Sequence, residues 1–394
     1  MSAVIRSQAR SEREVFQLPD LDYCLIGAAC ALLGLGLVMI ASASLHRISG
    51  APFYFFLRHL MAIGVGAVAA LVVFQIPVRQ LQKMGMSLYL FGLFLLLLVL
   101  VPGLGREVNG ATRWIPMGAF SLQSSEFMKL FLVVYLAGYL VRRQTEVTLS
   151  VWGFVKPMIL LVLACALIMI QPDFGTATVL LVTALGMLFL GGVPVWQFMI
   201  LIALAGSALF SLVIFSPYRL QRVTTFLDPW ADVQDSGYQL AQALIAFGRG
   251  EWFGVGLGNG IQKLFYLPEA HTDFLMAVIG EELGLMGTML VVLLFAVIVW
   301  RAFSIGARAE QLQQRFASYM AQGFGLWIGM QAFINIGVNI GLLPTKGLTL
   351  PLMSYGGNSI IVACMVISIL VRIDYENRQY DPSNDAGRAQ WAHE

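Results

Sequence analysis

The stretch Met84-Gly85-Met86-Ser87-Leu88-Tyr89-Leu90-Phe91-Gly92-Leu93-Phe94-Leu95-Leu96-Leu97-Leu98-Val99-Leu100-Val101-Pro102 contains no ionisable group apart from one phenol. It is long enough to cross a bilayer core as a helix, which takes about 20 mostly apolar residues. Nine further stretches read the same way, near 23–44, 55–75, 125–141, 156–171, 174–191, 195–215, 273–300, 317–341 and 349–371. The chain is therefore predicted to be an all-α polytopic membrane protein with ten transmembrane helices. Composition agrees: of 394 residues, 58% are hydrophobic and 12% charged, where a soluble domain carries about 25% charged residues. Mean hydropathy is +0.78.

Two breaks between spans are short. Gln171-Pro172-Asp173-Phe174-Gly175 separates the fifth from the sixth, and Gly191-Gly192-Val193-Pro194 the sixth from the seventh; both suit turns. Basic residues orient the bundle. With the N-terminus inside, Arg6, Arg79, Lys83, Arg142, Arg143, Lys156, Arg301, Arg308 and Arg372 fall on the cytoplasmic side. An even number of spans returns the C-terminus to that side. The expected organisation is a cytoplasmic tail at 1–22, a membrane domain at 23–373 and a polar, disordered cytoplasmic tail at 374–394. No cleavable signal peptide is visible, because the first apolar stretch is long and follows a polar tail. A net charge of +2 gives no bias toward nucleic acid. Cys24, Cys30, Cys165 and Cys364 lie in apolar stretches and fit neither a disulfide framework nor a zinc site.

The working face is expected outside, where two segments stand out: 103–124 and 216–272, the latter between helices seven and eight. Long connections without secondary structure are uncommon unless functional. In the longer one, Gly254-Val255-Gly256-Leu257-Gly258-Asn259-Gly260 does not fit a dinucleotide fingerprint and follows no strand. It is either a turn-rich loop or a backbone cradle for phosphate. Leu267-Pro268-Glu269-Ala270-His271-Thr272-Asp273-Phe274 opens span eight. Thr272 or Asp273 there either caps the helix or is poised at the outer boundary for chemistry. Absence of HExxH and of Cys/His spacing argues against a metalloprotease.

Charges within spans are costly and mark candidate sites. Glu126 and Lys129, three apart, share a helix face and can pair. Glu281 and Glu282 lie deeper, about 12 Å past Asp273 at 1.5 Å per residue, and point about 100° apart. In the first outer segment Trp114 is explained by interfacial anchoring alone, whereas Arg113 beside it adds a donor suited to phosphate. A polar, glycine-rich break, Ser354-Tyr355-Gly356-Gly357-Asn358-Ser359, interrupts the tenth stretch. At membrane depth such a break survives only when buried in protein or lining a cavity.

Taken together, Asn109-Gly110…Arg113-Trp114-Ile115, Glu126-Phe127-Met128-Lys129, Gln171-Pro172-Asp173-Phe174-Gly175, Glu269-Ala270-His271-Thr272-Asp273-Phe274, Gly341-Leu342-Leu343-Pro344 and Ser354-Tyr355-Gly356-Gly357 resemble the SEDS family (shape, elongation, division and sporulation). The motifs occur in family order from about 20 to 373. Glu-Ala-His-Thr-Asp-Phe and Pro344-Thr345-Lys346-Gly347-Leu348-Thr349-Leu350-Pro351 look more like its division branch than its elongation branch. Two positions depart: Gln123-Ser124-Ser125-Glu126 stands where the family commonly has Gln-Pro-Ser-Glu, and Asn358 follows the Ser-Tyr-Gly-Gly motif.

The resemblance implies a glycosyltransferase of the bacterial inner membrane that polymerises lipid II into glycan strands at the division septum, using 216–272 as a large periplasmic loop. It implies a divalent cation, Mg2+ or Mn2+, at an unlocated site. It implies a class B penicillin-binding protein transpeptidase, FtsI, as partner, with an FtsQ-FtsL-FtsB regulatory complex. By motif, Asp273 corresponds to the essential acid and Glu126 and Lys129 to its charged neighbours. Arg113 and Trp114 correspond to important residues of the first outer loop, and His271, Lys346 and Ser354 stand as further supporting candidates. In the implied reaction Asp273 would act as general base. Lys129, if close, would favour its carboxylate form, and Arg113, Lys346 or Lys263 would meet the leaving pyrophosphate. Elongation-type polymerisation and lipid II flipping are the alternatives. A flippase would use Glu126, Lys129 and Glu282 as a path and give Asp273 no chemical role.

Overall fold

The computed structural model describes residues 21–44, 53–108, 111–118, 120–214, 228–230, 237–264, 266–344 and 347–380. Helices occupy each of the ten apolar stretches: α1 (Tyr23–Ser44), α2 (Tyr54–Phe74), α3 (Val78–Val99), α4 (Ser124–Arg142), α6 (Val151–Ile170), α7 (Phe174–Leu190), α8 (Val195–Ile214), α10 (Leu275–Gln311), α11 (Arg315–Asn339) and α12 (Gly357–Gln379). Two shorter helices, α5 (Gln144–Leu149) and α9 (Tyr238–Gly250), lie in connections. Seven helices, α1, α2, α3, α4, α6, α10 and α12, are long and apolar enough to cross a membrane, and α7 is a shorter apolar helix.

The packing is that of a bundle whose outside is oily. α4 is almost wholly buried, held among α3, α7 and α11. α2 buries little beyond His59, Ala62, Gly66 and Val73 and exposes Leu57, Leu60, Met61, Val65, Val68, Leu71 and Val72. A soluble monomer rarely shows so continuous an apolar face; lipid tails satisfy it.

Two outer segments differ from expectation. The first is folded as a three-stranded antiparallel sheet, β1 (Arg106–Val108), β2 (Ala111–Met117) and β3 (Phe120–Gln123). The prediction of a purely α-helical chain is corrected there. In register, β2 sets Trp114 opposite both Arg106 and Gln123, and β3 runs straight into α4. Asn358 donates from Nδ2 to the Ser121 carbonyl at 2.6 Å, so this departure from the family motif ties α12 to the sheet. In the second segment, α9 packs its Leu240, Ala241, Ala243 and Ala246 face against α10.

Beyond α9 the chain clamps onto α10. Gly284, with φ 67° and ψ −161°, kinks α10, a conformation open to glycine. Val255 and Gly256 donate to the Glu281 and Glu282 carbonyls at 3.0 Å each, and Leu285 and Met286 donate back to Glu251 and Trp252 at 2.9 and 3.2 Å. Backbone meets backbone: a Cβ on Gly250 would collide with the Gly280 carbonyl, and one on Gly254 with that of Glu282. Gly284 lies nine residues beyond Leu275, about 13 Å along the helix, so the loop reaches well down the side of α10. At the other end α12 runs to Gln379, beyond the boundary expected at 373, burying Asp374 and Asn377.

Candidate active site

The N-terminal ends of α10 and α7 and the β-sheet meet around one carboxylate. α10 begins at Leu275 with Phe274 as its N-cap and no side-chain cap, so neither Thr272 nor Asp273 caps it. Thr272 donates instead to Glu269 Oε2 at 2.6 Å. Among the described residues no group donates a hydrogen bond to the Asp273 carboxylate. Burial and the neighbouring Glu269 and Asp173 charges push its pKa up to about 7, with Arg113 opposing. An unpaired carboxylate poised near neutral pH suits a general base.

Arg113 projects from β2. Its Nε donates to the Gln171 carbonyl at 3.1 Å and its Nη2 to that of Pro172; Gln171 in turn donates from Nε2 to the Leu96 carbonyl at 3.0 Å. Asp173 caps α7, accepting from the Thr176 amide at 3.2 Å and its hydroxyl at 2.9 Å. Ser125, from the altered motif before α4, donates to Asp173 Oδ2 at 3.2 Å. The Gln-Pro-Asp-Phe-Gly break thus anchors the arginine on one side and caps a helix on the other.

Glu126 and Lys129 pair at 2.9 Å inside the protein. Lys129 also donates to Gln331 Oε1 at 2.9 Å and lies 5.0 Å from the centre of the Trp327 ring. Among the described residues the cation that lowers the Asp273 pKa is Arg113. Lys263 is buried against Glu282 at 2.5 Å and Ser42 at 2.7 Å. It has no charge to spare for a pyrophosphate.

The glycine-rich loop does cradle anions, but internal ones. Gly258 donates to Glu282 Oε2 at 3.2 Å and Ile261 to Glu281 Oε1 at 2.8 Å, and Arg249 approaches Glu281 at 3.4 Å. The phosphate-cradle alternative has no vacancy there.

In the Ser354–Ser359 break, Ser354 and Ser359 are buried, Tyr355, Gly356 and Asn358 are half-buried, and Gly357 is exposed. Ser354 Oγ accepts from the Leu350 amide at 2.9 Å, and the Tyr355 amide donates to the His271 carbonyl at 3.0 Å. Ser354 is a turn residue here. The His271 ring lies 4.6 Å from that of Phe55 and 5.5 Å from that of Tyr355. Trp114 is half-buried on the sheet. Lys346 and the Asn109-Gly110 pair lie outside the described residues.

Sequence reading missed Gln331, Asn335 and Asn339. Asn335 and Asn339 both donate from Nδ2 to the Asp273 carbonyl at 2.9 Å. Three amides at four-residue intervals in an apolar helix were the available signal, since residues so spaced share one face.

A bundle of apolar helices carrying a poised carboxylate and an arginine at one end is the architecture of a membrane-embedded enzyme working at the bilayer surface. The FtsW/RodA/SpoVE model, described as cell cycle protein, matches residues 23–379, and the chain belongs to that family. It is 55% identical over 370 residues to a probable peptidoglycan glycosyltransferase FtsW of Allochromatium vinosum, covering 93% of each chain. The corresponding protein of Nitrosococcus halophilus is 54% identical over 91% of this chain and 94% of its own. Among solved structures, a chain from a peptidoglycan synthase complex that coordinates polymerization and crosslinking superposes with TM-score 0.77 at 29% identity. That match covers 92% of this chain and 100% of the other. The rod shape determining protein RodA of Thermus thermophilus superposes with TM-score 0.67 at 27% identity, over 91% and 98%.

Proposed function

We infer that this chain is a peptidoglycan glycosyltransferase of the division type, an inner-membrane protein whose ten helices all cross the bilayer with both termini inside. The observation that carries the chemistry is the Asp273 carboxylate: without a hydrogen-bond donor among the described residues, raised to about 7 and set beside an arginine-bearing sheet. Similarity of 55% to an FtsW against 27% to a RodA favours division over elongation.

The reaction joins the 4-hydroxyl of one disaccharide to the anomeric carbon of another, which leaves its polyprenyl pyrophosphate. Asp273 takes the hydroxyl proton as the oxygen attacks. Arg113, held by two carbonyls through Nε and Nη2, presents Nη1 to the departing pyrophosphate. The helices keep both lipid tails in the bilayer, so only head groups need to be docked. Among the described residues no group of three His, Cys, Asp or Glu converges to hold a metal ion. The described residues offer a divalent cation no preformed cage of this kind.

The solved neighbour comes from a peptidoglycan synthase complex that coordinates polymerization and crosslinking, which supports a class B penicillin-binding protein as partner. FtsI and the FtsQ-FtsL-FtsB complex follow from the division reading. The test is direct: the purified chain with its cognate transpeptidase, lipid II and a divalent cation should produce polymer on a gel. Depletion in cells should give filaments that grow without dividing. Absence of polymer from the complex would overturn the activity, and round cells would overturn the division role.

A further inference from the structure

α10 starts without a cap of its own, and α11 supplies one. The Ala277 amide in the first turn, which donates to the Phe274 carbonyl at 3.0 Å, also donates to Asn339 Oδ1 at 3.1 Å. The Asp273 carbonyl receives two amide donors, Asn335 and Asn339. Asn335 uses the same nitrogen to reach the Leu348 carbonyl at 2.5 Å. It therefore bridges two segments that meet at the reactive carboxylate. A Cβ on Gly347 would stand 3.2 Å from Asp273 Oδ2. One turn earlier, Gln331 donates to the Thr349 carbonyl at 2.9 Å while accepting from Lys129 and from Trp327 at 2.9 and 2.8 Å. All three amides are buried.

The ladder satisfies buried main-chain carbonyls at Asp273, Leu348 and Thr349, which no side-chain replacement can make apolar. An amide bridge adds a fixed register between two backbones. We propose that Asn335 is a positioning residue: by bridging the Asp273 and Leu348 carbonyls it fixes the Asp273 carboxylate against the 347–350 segment, and Gln331 ties that register to the Glu126–Lys129 pair. This rests on Asp273 being the base. It assigns the ion pair an indirect role, transmitted through Gln331 rather than by contact with substrate.

The experiment measures polymerisation by the purified complex with its transpeptidase, at saturating and limiting lipid II, from about pH 5.5 to 8.5. Wild type is compared with Asn335→Ala, Asn335→Ser, Asn339→Ala and Asp273→Asn. Asn335→Ala should lose about 10–100-fold in kcat, as a displacement of about 1 Å at a catalytic group can, with KM little changed. Asn335→Ser, which keeps one donor, should be intermediate, and it carries the test if the alanine variant does not fold. Asn339→Ala keeps the bridge and should lose less. Among the described residues, the charged groups acting on Asp273 are Glu269, Arg113 and Asp173. A carboxylate released toward water should bring the acid limb of the rate profile below its wild-type position in both Asn335 variants. An acid limb unmoved while activity falls only with the folded fraction would make Asn335 structural and overturn the proposal. An unchanged rate would overturn it as well. Polymerisation by Asp273→Asn would instead sink the base assignment, and this role with it.

Discussion

Asp273→Asn separates stability from activity. In the folded protein the Asp273 pKa rises from 3.8 to about 7, because burial and the Glu269 and Asp173 charges outweigh Arg113. The folded state then holds a proton that the unfolded chain has already released between these two values. The contribution of this group to stability is full below about pH 4, declines through that window and is lowest above about pH 7. A shift of about three units, at 1.36 kcal/mol each, makes that decline about 4 kcal/mol at most. Asparagine never ionises and avoids the decline. At about pH 8 the variant should unfold at a higher temperature than wild type, and the advantage should fade toward about pH 4. Its polymerisation should fall about 10²–10⁴-fold, the usual worth of general-base assistance. Thermal unfolding of both proteins in detergent at about pH 8 and pH 5, with a lipid II polymerisation gel at matched protein, reads both effects. Polymer within a few-fold of wild type would refute the base assignment. A stability difference independent of pH would refute the raised pKa.

Arg113→Gln removes a cation that lowers the Asp273 pKa, so the acid limb of polymerisation should move to higher pH. Arg113→Lys, which keeps the charge but not the paired carbonyl contacts, should leave that limb closer to wild type; equal shifts in both variants would contradict the assignment. Lys263→Met leaves Glu282 charged and buried, a loss of about 3–5 kcal/mol, seen as loss of folded protein. Lys263→Met with Glu282→Gln should recover most of it, and a double variant no better than the single would argue against a self-contained pair. For topology, cysteines introduced at Trp230 and Glu310, both exposed, should differ toward an impermeant thiol reagent. Trp230→Cys should label from outside and Glu310→Cys should not; the reverse would invert the bundle.

The helices were legible because apolar runs of bilayer length leave the backbone little else to do. Some ends match the sequence-based stretches closely, as at Tyr23–Ser44 and Phe174–Leu190, whereas α10 runs on to Gln311 and α12 spans Gly357–Gln379, past the ends expected at 300 and 371. The β-sheet was not legible: its strands are short and the turns between them broke any period. Asp273, Arg113, Glu126 and Lys129 were legible as candidates through their motifs, but their pairings were not. Whether Lys129 faces Asp273 or Gln331 depends on how α4 packs against α11, a tertiary fact. The glycine-rich loop read either as a turn-rich loop or as a backbone cradle for phosphate, and nothing local in it showed that Glu281 and Glu282, some twenty residues on, return to meet its amides.

That loop has an evolutionary consequence. Where Gly250 meets Gly280, and Gly254 meets Gly284 and Glu282, the obstacle to any larger residue is main chain rather than side chain. A crowded core contact can be relieved by trimming a neighbour, but no second-site change trims a carbonyl. These positions should drift as little as catalytic ones and yield no suppressors in a genetic screen, although none of them touches the Asp273 carboxylate. A survey of invariant positions would therefore mark this clamp as strongly as the site, and invariance alone would not distinguish the residues that react from those that let two backbones lie together.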